Sequence, residues 1–447
     1  MHTESTAMRT TIGVMRTEMK VRIPLALRKS CGKITDCSSI SKNISDTIFE
    51  GYDSGLRPVC ANVPLVNMTM GIAVRQVIGL DEPNQIVRLN LWMRLVSKNE
   101  YFNTTLYRED TDLKPEKWND CLLTWDPNDY GGLDNIIVPI KRVWVPDLTL
   151  YDSTATEFSG IKEYRAVIFS DGSVYYNFPT VLEALCPIEV LNFPFDTQIC
   201  ALVFGSWNHH GLEIDFYPKE NPGDLSTLKS NVEWLVPKVA AERHTVKYTC
   251  CPAPYPDVTF NVYLQRKPGY YIINILIPSV MITVLAILGY FLPVDSGEKV
   301  SLVITVMLAM SVFQLLVADK LPPSAESTPW IMFFFNFILG LSAVSTILQV
   351  LVVNLYYRGE REVPTSLKYY VIKPLCYITC VSIPGEDPPS YCRRKIQCSD
   401  FTKPQEATNT VMWQSFSIAV DRLGIVLFSF TLVIGIGTVF THMTGSF

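Results

Sequence analysis

Four apolar runs in the C-terminal half constrain what this chain can fold into: Tyr270 to Leu292, Val300 to Val317, Trp330 to Val353, and Ile418 to Phe440. Each is about 18 to 25 residues, the length a helix needs to cross roughly 30 Å of hydrocarbon. One such run is compatible with a buried helix of a water-soluble protein; four clustered together argue against it. An even number of spans puts both termini on the same side. The loop between the third and fourth runs carries Arg358, Arg361, Lys368, Lys373, Arg393, Arg394 and Lys395. Positive charge marks the cytoplasmic side, so the residues before the first span and the C-terminus are expected outside, on a multi-pass plasma-membrane protein.

With 447 residues, 48% of them hydrophobic, the chain exceeds the usual single domain. A net charge of -5 argues against a nucleic-acid partner. It has no phosphate-binding glycine loop and no nucleophile with a placed base, so no enzyme, cofactor or metal site is expected. From Val63 to Val262 short alternating runs are broken by Pro, Gly and Asn, as in Ile86 to Met93, Ala166 to Tyr175 and Val258 to Leu264. Such alternation reads as antiparallel strands, and several at this spacing suggest a β-sandwich. Ile40 to Ser54 reads as one amphipathic helix ahead of them. The expected divisions are an N-terminal segment 1–28 outside the fold, without the apolar core of a secretory signal, and a sandwich over 29–268. Three spans follow over 269–354, then a short cytoplasmic loop 355–412 with an amphipathic helix, and a fourth span over 413–447.

Eight of the twelve cysteines, at 31, 37, 60, 121, 186, 200, 250 and 251, precede the first span, where oxidation permits disulfides. Cys376, Cys380, Cys392 and Cys398 fall in the cytoplasmic loop and are expected as free thiols. Asn43, Asn67 and Asn103 lie in N-x-Ser/Thr sequons, candidates for glycosylation on the outer side. Cys186 and Cys200 enclose thirteen residues, CPIEVLNFPFDTQIC, and can close a ring contributing roughly 3 kcal/mol. The exposed tip of that ring, Phe193-Pro194-Phe195, calls for a partner surface.

In the second apolar run, steps of four and three from Ser301 give Thr305, Leu308, Val312, Leu315 and Asp319 on one helical face. That face is polar, then apolar, then acidic, and Asp295 and Glu298 precede it. A packing face of a helix bundle and a pore lining are both open on periodicity alone.

The loop CPIEVLNFPFDTQIC, together with WDPNDYGG (125–132), WVPDLTLYD (144–152), GSW (205–207), YTCCP (248–252) and DSGEKVSLVITVMLAMSVFQLLVAD, resembles the pentameric Cys-loop ligand-gated ion channels. The likeness is to alpha-like subunits of the nicotinic acetylcholine receptor branch, of invertebrate type, and runs from about Leu56 to the end. It implies disulfides Cys186–Cys200 and Cys250–Cys251. It implies an agonist box of Tyr151, Trp207, Tyr248 and Tyr255 beside Cys250 and Cys251, with Trp92 supplied by the neighbouring subunit. Electron-rich rings around one cavity attract a small cationic agonist. The resemblance also makes Glu298 the selectivity position and Leu308 the gate. Carboxylate rings at both mouths select permeant cations, and an apolar ring gates by dewetting. Asp81, Glu82, Phe193, Pro194, Phe195, Asp196, Arg266, Leu321, Pro322 and Pro323 match the junction that carries the signal, with Asp196 or Glu82 expected to neutralise Arg266. Both faces of the agonist site are present, so the partners implied are copies of this chain in a homopentamer, or related subunits, and membrane lipids.

Three features depart from the family pattern. Leu95 to Lys117 is an insertion beside Trp92, three residues separate Cys251 from Tyr255 where four are common, and NHH follows Trp207. His209 and His210 lack a third ligand and read as surface residues. The rival expectations are a channel gated by another amine, a proton or an amphiphile, and a membrane receptor that conducts nothing.

Overall fold

The computed structural model describes residues 34–59, 65–96, 119–155, 163–322, 328–381 and 409–445. The N-terminal part is a sandwich of two sheets. One contains β1 (Val66–Asp81), β2 (Ile86–Val96), β3 (Asn119–Thr124), β4 (Asn135–Pro139), β6 (Arg165–Phe169), β7 (Asp171–Leu185) and β9 (Ile214–Asp224), in the order β4-β6-β7-β2-β1-β9 with β3 also on β7. The other contains β5 (Leu148–Leu150), β8 (Thr197–Ser206), β10 (Trp234–Leu235), β11 (Val239–Val246) and β12 (Tyr255–Arg266), in the order β10-β12-β8-β5 with β11 on β12. Among the described residues all pairings of these strands are antiparallel except β1 with β9. Alternate residues point inward: Leu89, Leu91 and Met93 of β2 meet Leu202 and Phe204 of β8 and Phe260, Val262 and Leu264 of β12 in one continuous core. Burial on that scale is the main term holding the two sheets together.

Two local readings change. The N-terminal helix runs Ile34–Ile48 rather than from Ile40 to Ser54. Ile40, Ile44 and Ile48, four apart, turn one stripe toward the sandwich, and 49–56 form turns. Ala166 to Tyr175 is a hairpin and not one strand. Alternation continues on both sides of the turn, but Asp171-Gly172 reverses the chain, with Gly172 at φ 79°.

Among the described residues four helices are long and apolar enough to cross a membrane: Gly269–Phe291, Lys299–Ala318, Trp330–Tyr356 and Asn409–Thr444. The fourth has 36 residues and at 1.5 Å per residue is about 54 Å long, more than the hydrocarbon requires. Its first turns pack against a helical segment at 365–378, where Ile372, Cys376 and Ala419 are buried together. There the Trp413 indole N–H donates to Arg361 O at 2.9 Å.

Cys186–Cys200 and Cys250–Cys251 are both bonded. Cys121 is also disulfide-bonded, and so is Cys380, which overturns the expectation of a free thiol there; Cys376 is buried, its thiol donating to Ser415 O at 3.8 Å. Of the sequons, Asn43 is exposed on the N-terminal helix, whereas Asn67 is 7% exposed because β1 lies inside the first sheet. Asn103, the insertion beyond Val96, the 1–28 segment, Cys31, Cys60, Pro323, Cys392 and Cys398 lie outside the described residues.

Candidate functional site

The β11–β12 hairpin carries the adjacent cysteines at its tip. Val246 pairs with Tyr255 as the last rung, and residues 247–254 form the loop. Tyr248 and Tyr255 therefore face each other across its base, ring centroids 5.8 Å apart and edge to face. The three-residue spacing from Cys251 does not keep Tyr255 away. Beside this pair, Tyr151 follows β5 and Trp207 follows β8, with centroids 6.3 Å apart. Gly211 N donates to Pro254 O at 2.7 Å and ties the loop after Trp207 to the hairpin tip. Trp207 is 70% exposed and Tyr248 45%, so these rings face outward. Burial, and then the nearness of Tyr248 and Asp257, push the Tyr151 phenol up to about 12. It donates to Ser206 O at 3.0 Å. A side chain at Gly205 would overlap the Tyr151 hydroxyl, which is why β8 has glycine there.

Sequence reasoning does not single out Asp147, although it lies in WVPDLTLYD. Its Oδ2 accepts from Trp207 N at 3.1 Å and Asn208 N at 2.7 Å. Its Oδ1 accepts from the Ser206 hydroxyl at 2.5 Å and lies 3.0 Å from His209 Nδ1. His209 thus serves the loop that presents Trp207, and among the described residues no group of three metal-ligating side chains occurs. Trp92 stands on β2, in the other sheet from this cluster, half-buried, with the Arg75 guanidinium carbon 4.5 Å from its ring centroid. Arg75 is held there by donating to Thr227 O at 3.1 Å.

At the opposite end of the sandwich, Arg266 closes β12 with no exposed side-chain surface. Its Nε donates to Asp196 Oδ1 at 2.8 Å and its Nη1 to Glu82 Oε1 at 2.8 Å and Glu233 Oε1 at 2.9 Å. Both expected carboxylates are present, and Glu233 is a third that no local motif announces. The guanidinium also lies over Trp234 at 4.2 Å and Phe193 at 4.9 Å. Gln198 laces the ring closed by Cys186 and Cys200, accepting from Glu189 N at 2.9 Å and donating to Glu189 O at 2.8 Å.

The tip of that ring enters the helical domain. Phe193 is buried against Tyr271, 4.8 Å away, Phe195 meets Phe440 at 6.2 Å, and Trp330 N donates to Leu191 O at 3.0 Å. Val190, Phe193, Val317, Leu321, Ile331 and Phe335 share one apolar cluster. Pro322 is buried beside them in sequence. Asp81 is turned to its own bend, accepting from Asn84 N at 3.1 Å.

Ser301, Thr305, Leu308, Val312, Leu315 and Asp319 of the second span are all exposed, while Val303, Val306, Met310 and Val317 on the other side are buried. Glu298 is exposed at the start of that helix. Asp295 accepts from the Tyr356 and Tyr357 hydroxyls, each at 3.1 Å, and is tied to the end of the third span.

The family model "Neurotransmitter-gated ion-channel ligand binding domain" matches residues 41–114 and 98–268, and "Neurotransmitter-gated ion-channel transmembrane region" matches 275–415. The chain belongs to the neurotransmitter-gated ion-channel family. It is 39% identical over 341 residues to the neuronal acetylcholine receptor subunit alpha-10 of Homo sapiens, covering 76% of this chain and 71% of that one. It is 37% identical over 352 residues to the alpha-9 subunit of Gallus gallus, covering 78% and 68%. The acetylcholine receptor subunit alpha-type acr-16 of Caenorhabditis elegans is 33% identical over 317 residues, covering 71% and 59%. Vertebrate and nematode chains both match, so these likenesses do not assign an invertebrate type. This receptor chain is a multi-pass plasma-membrane subunit of a pentameric ligand-gated channel of nicotinic type, with its sandwich outside the cell.

Asp147 makes one property of the receptor testable. Burial alone would raise its carboxyl, but the donors from Ser206, Asn208 and His209 hold it below the ordinary carboxylate range. With the folded value below the unfolded one, the stability it lends is fully present above about pH 4 and is lost as pH falls through the folded value. Asp147→Asn is expected to destabilise the purified receptor at pH 7 by about 1.5–3 kcal/mol, the worth of a charged hydrogen bond, and so to lower its thermal midpoint. It should also flatten the acid-side decline in that midpoint. An unchanged acid profile would remove Asp147 from this role.

Proposed function

We propose that this chain forms a cation-selective channel opened by a small cationic agonist bound between subunits. The observation that carries the reading is the divided second span. Its Ser301-to-Asp319 face is left uncovered by the protomer's own helices while the opposite face is buried. Five such faces around one axis make a pore with Glu298 at the inner mouth, Leu308 at its apolar constriction and Asp319 at the outer mouth. Acidic rings draw cations in, and a leucine ring closes the path by excluding water.

The agonist enters against Tyr151, Trp207, Tyr248 and Tyr255 under the Cys250–Cys251 tip. Each ring face offers roughly 0.5–2 kcal/mol to a desolvated ammonium. Trp92, on the other sheet, is in place to complete the neighbouring subunit's site and not its own. Closure of the hairpin tip on the agonist then biases the pore through Arg266, by the difference in affinity between closed and open states.

One observation favours a ligand other than acetylcholine, the ligand in the relatives' names. Arg75 already lies over Trp92, so a quaternary ammonium competes with a resident cation for that ring. A ligand presenting a hydrogen-bond acceptor toward Arg75 would meet no such competition.

Oocytes expressing this chain provide two tests. Leu308→Thr is expected to pass a standing sodium current before any ligand is applied, because a hydroxyl at the constriction admits water; surface-expressed but silent channels would contradict the pore assignment. Arg75→Gln is expected to lower the half-maximal acetylcholine concentration by roughly 2- to 30-fold, the equivalent of one cation–π contact. An unchanged or higher concentration would mean that the Trp92 face takes no part.

A further inference from the structure

Glu298 and Lys299 are adjacent and oppositely charged at the inner start of the second span, yet they lie in different surroundings. Glu298 is exposed, and Lys299 is 1% exposed. The ammonium is taken into the helix bundle, where Lys299 Nζ lies 2.6 Å from Asp421 Oδ2 on the fourth span and 3.4 Å from Tyr290 O on the first. Among the described residues Asp421 is the one carboxylate within ion-pair distance of Lys299. The third span completes the enclosure: the Ser345 hydroxyl donates to Tyr290 Oη at 3.0 Å, and Gln349 is fully buried. Tyr290 is stacked on Phe428 at 5.5 Å, and Gly424 makes room for it, since a Cβ there would stand 2.7 Å from the Tyr290 ring.

We propose that Asp421 is a positioning residue for permeation, holding the Lys299 ammonium inside the bundle so that Glu298 alone of this pair charges the inner mouth of the pore. This rests on the cation-channel reading above. The physical reason is that a buried ammonium is tolerated only with its counter-charge, and removing that partner leaves an uncompensated charge in a low-dielectric site. A lysine has a long flexible stem and relieves that cost by swinging its head to water. The helix start beside Glu298 is exposed, so a head that swings out meets water there. Repeated by symmetry, each freed ammonium then cancels a carboxylate in the ring, and the ring's preference for cations falls. Asp421 touches neither the pore face nor a permeant ion; it acts through Lys299.

The test measures the sodium-to-chloride permeability ratio from reversal potentials under sodium chloride dilution. All variants carry Leu308→Thr, so that no ligand is needed. The chain with only that change comes first, and a ratio below one there would sink the cation-channel reading itself. Asp421→Asn is expected to lower the ratio at least fivefold and to reduce single-channel conductance. Asp421→Asn combined with Lys299→Gln removes both charges and is expected to return the ratio to within twofold of the starting value, a rescue that a merely structural role would not produce. Asp421→Asn channels at the cell surface with an unchanged ratio would overturn the proposal. If Asp421→Asn alone reaches the surface poorly, it is co-expressed one to one with the chain carrying only Leu308→Thr, and an epitope tag confirms its presence in surface pentamers. A graded fall in the ratio supports the assignment, and an unchanged ratio overturns it.

Discussion

A guanidinium with no exposed surface cannot be left alone, and the arrangement of this receptor turns on how Arg266 is satisfied. Asp196 comes from the end of the disulfide ring, Glu82 from the turn after β1, and Glu233 from the approach to β10. Those three segments are thereby fixed to the last residue of β12, just ahead of the membrane-spanning part. Such a cluster is weak evidence for net stability, since desolvation offsets much of the attraction. Breaking it by removing one partner is nevertheless costly, about 3–5 kcal/mol. What the cluster does show is that three separate segments meet at one residue between the sandwich and the helices.

The geometry of the second sheet links that ion cluster to the aromatic cluster. β12 begins at Tyr255 and ends at Arg266; β8 is preceded by Asp196 and followed by Trp207. The two strands pair antiparallel from Asp257 with Gly205 to Gln265 with Thr197. Each strand therefore carries an aromatic ring of the candidate site at one end and a member of the ion cluster at the other. A displacement at the hairpin tip has a continuous hydrogen-bonded path to the helices, where Phe193 and Leu191 engage the first and third spans.

The parts of this design that repeat along the chain are legible in the amino-acid sequence. The four spans, the exposed face of the second span and the adjacent cysteines are local patterns, and periodicity or a short motif reports them. Partners that meet only through folding are not legible there. Glu233 on Arg266, Asp147 under Trp207, Arg75 over Trp92 and Asp421 on Lys299 are joined across 17 to 122 positions by sheet register or helix packing. The hairpin at Ala166 to Tyr175 escapes a reading by periodicity for a related reason. Alternation is present on both sides of a tight turn centred on Asp171, and only the Asp-Gly pair marks the change of direction. Glu298 and Lys299 show the limit most plainly, because they are neighbours in sequence and only burial separates their surroundings.

We propose that Arg266 and its carboxylates transmit the signal from the sandwich to the spans and do more than hold the domains together. A double-mutant cycle on channel opening tests it most directly: the open-closed equilibrium of single channels is measured for the unsubstituted chain, Arg266→Gln, Glu82→Gln and the pair. If the cluster carries the coupling, the single changes each shift opening and the pair shifts it by much less than their sum, a coupling of about 1–3 kcal/mol. Additive effects, or a normal opening equilibrium in surface channels that have lost Arg266, would show that this cluster holds the domains together without carrying the signal.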